Sequence, residues 1–236
     1  MRGLALVSML ALAGCMTVTQ PPPGKTPHEA QSSRLTARMQ AQKAARQFVS
    51  VVETVEPVAE RECRRLAPRS NCDFQIVVDD RQGQPPNALQ FEDDSGRPVI
   101  AFTLALIAEV QNADELAFVM GHETAHHIAG HLRRQEENAA IGAEAFARLA
   151  ELTGASPSMV ENAQELGAAV GARTYSKEFE LEADALGTVI TKRAGYDPVI
   201  GAAFFTRLPD PGNRFLGTHP PNDRRLETVR RVAGQT

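Results

Sequence analysis

HETAHHIAGH, residues 122–131, carries four of the chain's six histidines and one glutamate within ten positions. His122 and His126 are four residues apart, so on a helix their rings leave one face, about 40° from each other, and reach a single ion. Glu123 is turned about 100° from His122, where it can touch water beside that ion without being a ligand. The H-E-x-x-H pattern therefore points to one Zn²⁺ per chain, with Glu123 as general base. His131 lies nine residues after His122, about 180° round a continuing helix, and His127 about 140° round. Both are expected in packing or capping roles. The metzincin pattern needs a histidine at 132, where Leu132 stands.

Working outward, Asn112 is a good N-cap with Glu115 three residues on, so the helix is expected from Asn112 to about Leu132. Zinc that does chemistry usually has three protein ligands, so one more must come from elsewhere. YSKEFELEADALG, residues 175–187, offers Glu178, Glu180, Glu182 and Asp184. Glu178 reads as solvated. Glu180 and Asp184 are four apart on one face, flanked by Leu181, Ala183, Ala185 and Leu186, and a carboxylate on such a half-buried helix needs a cation.

The remaining elements read as a helical body beside a small sheet. Apolar residues from Leu35 to Val52 recur at helical spacing, with a break or kink expected at Pro57 before a second piece reaching Leu66. Phe74 to Val78 and residues 98–104 (PVIAFTL) read as strands, and the second could pair with an extended substrate as an added strand. Residues 136–173 read as two helices split at Gly154 to Pro157, with Gly167 and Gly171 marking close packing rather than a membrane span.

Net charge is −4 with no long basic block, which argues against nucleic acid as a partner. The chain has room for one catalytic domain, expected over 34–236. MRGLALVSMLALAGC reads as a signal peptide, residues 1–14, ending in a lipobox-like Leu12-Ala13-Gly14-Cys15, so Cys15 is expected to be lipidated and to anchor the chain to a membrane. Residues 15–33, rich in Pro, Thr, Gln and Ser, read as a flexible tether that includes His28. Cys63 and Cys72 remain as an even pair in an oxidising compartment and are expected to bridge, which leaves no thiolate for a deformylase-like zinc site.

Several of these segments together resemble one family. Asn87-Ala88, DELAFVMGHETAHHIAGH, SKEFELEADALG, AGYDP at 194–198 and THPPNDRRLE from 218 match, in order, the gluzincin metallopeptidases that include HtpX and the CaaX prenyl endopeptidase, together with the periplasmic lipoproteins LoiP and BepA. The resemblance implies an α+β fold: a mainly helical zincin-like metallopeptidase domain with a small β-sheet beside the HExxH helix. It implies Glu180 as third zinc ligand, Asp184 as a carboxylate supporting a ligand histidine, and His219 as an active-site histidine serving the oxyanion or occluding the metal. Glu182, turned about 200° from Glu180, is then not a ligand. Composition alone would make His219 a turn residue and the arginines of the last helix a solvated face. Lys177 stands where the family often has arginine. Expected to lack the transmembrane helices of HtpX and the tetratricopeptide repeats of BepA, the chain compares best with LoiP-like lipoproteins. The implied activity is zinc endopeptidase action on unfolded or misassembled envelope proteins, at the periplasmic face of the outer membrane. The implied alternative is a chaperone or scaffold with a closed site.

Overall fold

The computed structural model describes residues 27–208, 210 and 219–235. The expected signal peptide, Cys15 and Thr218 lie outside the described residues. Residues up to Met39 form one unit and Gln40 onward the other. In the first unit the described residues belong to α1 (Pro27–Leu66), and residues 31–39 are exposed. Helix therefore begins inside the stretch 15–33 expected as tether; His28 to Gln31, HEAQ, is compatible with helix, and Pro27 suits a first helical position. Pro57 does not break α1. Pro57 and Glu53, whose carbonyl loses its partner there, are both exposed to water, while Val55, Val58 and Ala59 hold both halves of the helix on the core. The helix ends beside the Cys63–Cys72 disulfide, which closes a short loop and contributes about 2–3 kcal/mol by constraining the unfolded chain.

The fold is α+β and mainly helical, with a three-stranded mixed sheet. Strand β1 (Gln75–Asp79) runs parallel to β3 (Pro98–Thr103), and β2 (Ala88–Glu92) runs antiparallel along its other edge, in the order β1-β3-β2. Strand β3 is buried throughout because it is central. It thus has neighbours on both sides and cannot accept an added strand; the edge beside the site belongs to β2, which the sequence reading missed. Thr103 ends β3 and starts α2 (Leu104–Glu109): its hydroxyl oxygen accepts from Leu106 N and Asn87 N and donates to the Pro85 carbonyl.

Helix α3 (Ala113–Ile128) starts where Asn112 Oδ1 accepts from Glu115 N at 2.9 Å. It stops four residues short of the expected end. Ala129 caps it, and Gly130 takes the left-handed conformation, φ 64°, that a residue without Cβ adopts without strain. Helices α4 (His131–Leu152) and α5 (Pro157–Thr174) form the expected pair. A Cβ on Gly142 would lie 2.2 Å from the Gly167 carbonyl oxygen, so these helices pack backbone to backbone. Helix α6 (Ser176–Arg193) lies on α3 through a similar approach: a Cβ on Gly187 would stand 2.9 Å from His122 N. Helix α7 (Pro198–Ala202), a 3₁₀ turn (Ala203–Arg207) and α8 (Asn222–Ala233) complete the body. No helix among the described residues is long and apolar enough to cross a membrane.

Candidate metal centre

The contact between Gly121 and Gly187 brings the His122–His126 face of α3 against the acidic face of α6. His122 Nε2 and His126 Nε2 stand 3.0 Å apart, and the Glu180 oxygens lie 3.6 Å from the first and 3.4 Å from the second. These three residues offer donor atoms that all fall within 4.8 Å of one another. Their side chains are only 8, 17 and 12 % exposed, so they are largely shielded from bulk solvent. Two ring nitrogens this close either share a proton or turn both lone pairs to one cation. Burial opposes a charge on His122, yet the Asp184 and Glu180 carboxylates outweigh it and push the ring's pKa up to about 10. Burial, then the charge on His122, push His126 down to about 3. Two imidazoles and one carboxylate converging here are a donor set that fits Zn²⁺.

Asp184 is fully buried, and its Oδ1 lies 2.9 Å from His122 Nδ1, so its carboxylate serves His122 and not His126. Arg225 grips the same carboxylate, with Nε 2.8 Å from Oδ2 and Nη2 2.6 Å from Oδ1. Its guanidinium lies 3.5 Å from the Phe205 ring centroid and 3.6 Å from a Glu180 oxygen. Arg225 therefore does not belong to a solvated face; it is 6 % exposed. The missed signal is its place in α8: Arg225, Val229 and Val232 follow helical spacing, so this arginine lies on the apolar stripe.

His131 packs against Phe179 as expected, but not on the far side of α3. Because α3 stops at Ile128, the chain turns at Gly130 and brings His131 back to the ligand face, its Nδ1 2.9 Å from His126 Nδ1. Glu182 faces away from the three donors and bonds His131 and Arg134. His127 has the expected packing role: it is buried edge-on against Phe74, and its Nε2 donates to the Asn71 carbonyl.

Glu123 lines the cavity beside His122, and burial raises its pKa more than the charge of His122 lowers it. His219 Nδ1 lies 3.0 Å from Glu180 Oε2, with its side chain 56 % exposed. Glu180 remains ionised: burial favours its neutral form, but hydrogen bonds from His122 and His219 hold it well below the usual range. These residues floor a cavity of about 430 Å³, with residues 86–90 along one wall and Phe204, Phe205 and Leu208 along another.

Comparison with known proteins matches the pattern of Peptidase family M48 to residues 45–233. The beta-barrel assembly-enhancing proteases of Yersinia pestis and Escherichia coli (strain K12) are 32% and 28% identical to this chain over 144 residues, which is 56% of this chain and 30% of each of theirs. The mitochondrial metalloendopeptidase OMA1 of Arabidopsis thaliana is 27% identical over 135 residues, 56% of this chain and 27% of that protein. The chain spans under a third of the length of these relatives. The family pattern runs through α3, α6 and α8 alike, and the chain belongs to peptidase family M48, a family of metallopeptidases.

Proposed function

We propose that the chain is a zinc endopeptidase of the gluzincin kind, with His122, His126 and Glu180 as ligands and Glu123 as general base. The observation that carries this is the convergence of those three donors beside Glu123 in an open cavity. Zinc held there supplies Lewis acidity toward water and toward a peptide carbonyl. Glu123, with its raised pKa, accepts a proton from the attacking water and delivers it to the leaving amide nitrogen. Asp184 and Arg225 hold the His122 ring in register. His219 hydrogen-bonds the carbonyl oxygen as negative charge develops on it, once substrate has drawn it from Glu180. The free edge of β2, at the cavity wall, suits an extended chain, which favours unfolded segments over folded ones.

The finer setting is also our reading. Leu12-Ala13-Gly14-Cys15 supports cleavage after residue 14 and lipidation of Cys15; the Cys63–Cys72 bridge supports an oxidising compartment. With the names of the relatives, these features support quality control of unfolded or misassembled proteins at the periplasmic face of the outer membrane, in the manner of LoiP-like lipoproteins. One observation favours a second reading, a chaperone or scaffold with a closed site: His219 engages a Glu180 oxygen. Casein cleavage by the full mature chain separates them. Proteolysis that disappears in Glu123→Gln while zinc stays bound supports the peptidase; cleavage absent from the parent as well supports the scaffold.

A further inference from the structure

The two ligand histidines are backed by different chemistry. His122 gives its Nδ1–H to a carboxylate, Asp184, as ligand histidines commonly do. Among the described residues, no carboxylate meets Nδ1 of His126. Instead His131 Nδ1 lies 2.9 Å away, His131 Nε2 lies 3.2 Å from Glu182 Oε2, and Arg134 Nη1 donates to that same oxygen at 2.8 Å. We propose that His131 and Glu182 form a relay that fixes the tautomer of His126 and aims its Nε2 lone pair at the metal.

The proton assignment follows from the metal centre read above, on which the inference rests. A ligand nitrogen must be bare, so His126 carries its hydrogen on Nδ1 and donates there. His131 Nδ1 must then accept, which leaves the hydrogen of His131 on Nε2. An ionised carboxylate only accepts, and Glu182 is the group facing Nε2. Each member of the row thus dictates the protonation of the next, from Arg134 to His126. Geometry locks the row: His131 is 3 % exposed and stacked on Phe179 at 4.7 Å and 12°, and the Arg134 guanidinium lies 4.3 Å from the same ring centroid. Gly130 makes it possible, because its left-handed turn brings His131 back onto α3.

A packing role for His131 makes the opposite forecast for two substitutions. His131→Phe keeps the ring against Phe179 and removes both nitrogens; His131→Asn loses the stacking and keeps an acceptor oxygen about where Nδ1 stands. Zinc affinity of the full chain is measured by competition with a chromophoric chelator, with unfolding of the metal-free proteins followed in parallel. The relay predicts a loss of about 10- to 100-fold in affinity for His131→Phe, with metal-free stability little changed. It predicts that His131→Asn binds zinc more tightly than His131→Phe despite lower stability. Glu182→Ala should weaken zinc by a smaller factor without abolishing binding. Parental affinity in His131→Phe, or affinity in His131→Asn no better than in His131→Phe, overturns the relay. His126→Ala is the control: if that variant keeps its zinc, the metal centre itself has been misread, and the relay is not the cause.

Discussion

Arg225 and Asp184 meet through two hydrogen bonds, 2.8 and 2.6 Å, at the back of the His122 ring, with Asp184 fully buried and Arg225 6 % exposed. Neither charge has water to return to if its partner is removed. Arg225→Ala should therefore destabilise the metal-free protein by about 1–3 kcal/mol, the cost of a lost buried hydrogen-bonding partner, since Asp184 keeps the His122 ring. Arg225→Lys should recover only part, since an ammonium cannot form the two-pronged bond or lie flat on Phe205. Urea unfolding checks this; a loss under about 1 kcal/mol would show that the His122 ring satisfies Asp184 by itself.

The approach of α6 to α3 depends on Gly187 having no side chain. A Cβ there would lie 2.9 Å from His122 N and 3.0 Å from its Cα, both backbone atoms that cannot rotate away. Gly187→Ala should push the helices apart, costing about 1–3 kcal/mol and weakening zinc because Glu180 moves with α6. Gly142→Ala is the contrast: its Cβ would strike the Gly167 carbonyl in the α4–α5 pair, away from the donors. Melting temperature and zinc affinity should fall together in the first variant, and only the melting temperature in the second.

Glu62 ties α1 to α6 through Arg193 and also bonds Arg65. Burial alone would raise its pKa, but the two guanidiniums outweigh burial and hold it below the ordinary 4.5. A depressed folded pKa gives stability that is complete above about 4.5 and fades as pH falls through the folded value. Glu62→Gln should thus be less stable than the parent near neutral pH, with the gap closing as pH drops below that value. Urea midpoints across the acid range test it, and a gap that widens toward acid would contradict the assignment.

Much of this was legible in the sequence wherever a local rule acts alone. Asn112 and Glu115 announced the start of α3, H-E-x-x-H the face that meets Glu180, and Gly154 to Pro157 the break between α4 and α5. The strands near residues 75 and 98 followed from β-rich runs between turns, and the fold class from the family resemblance. Three features needed tertiary information. Strand β2, ALQFE, is as short as β1 but interrupts its apolar residues with Gln90, so it carries no apolar run to mark it. His131 moved from the far side of a helix to the ligand face because one glycine adopts φ 64°, a local choice that reverses a 180° argument. Arg225 looked like a surface cation until α6 supplied the carboxylate that lets it be buried. Pro57 did not give the break that was one of the two expected outcomes, since a proline facing water interrupts one hydrogen bond without ending the helix.

The central claim is that His122, His126 and Glu180 hold a zinc ion that Glu123 attends without binding. The most direct test is elemental analysis of the purified full chain beside Glu180→Ala and Glu123→Gln. The account predicts about one zinc per chain in the parent and in Glu123→Gln, and loss of most of it in Glu180→Ala. Zinc that stays near one per chain in Glu180→Ala, or disappears with Glu123, would contradict it.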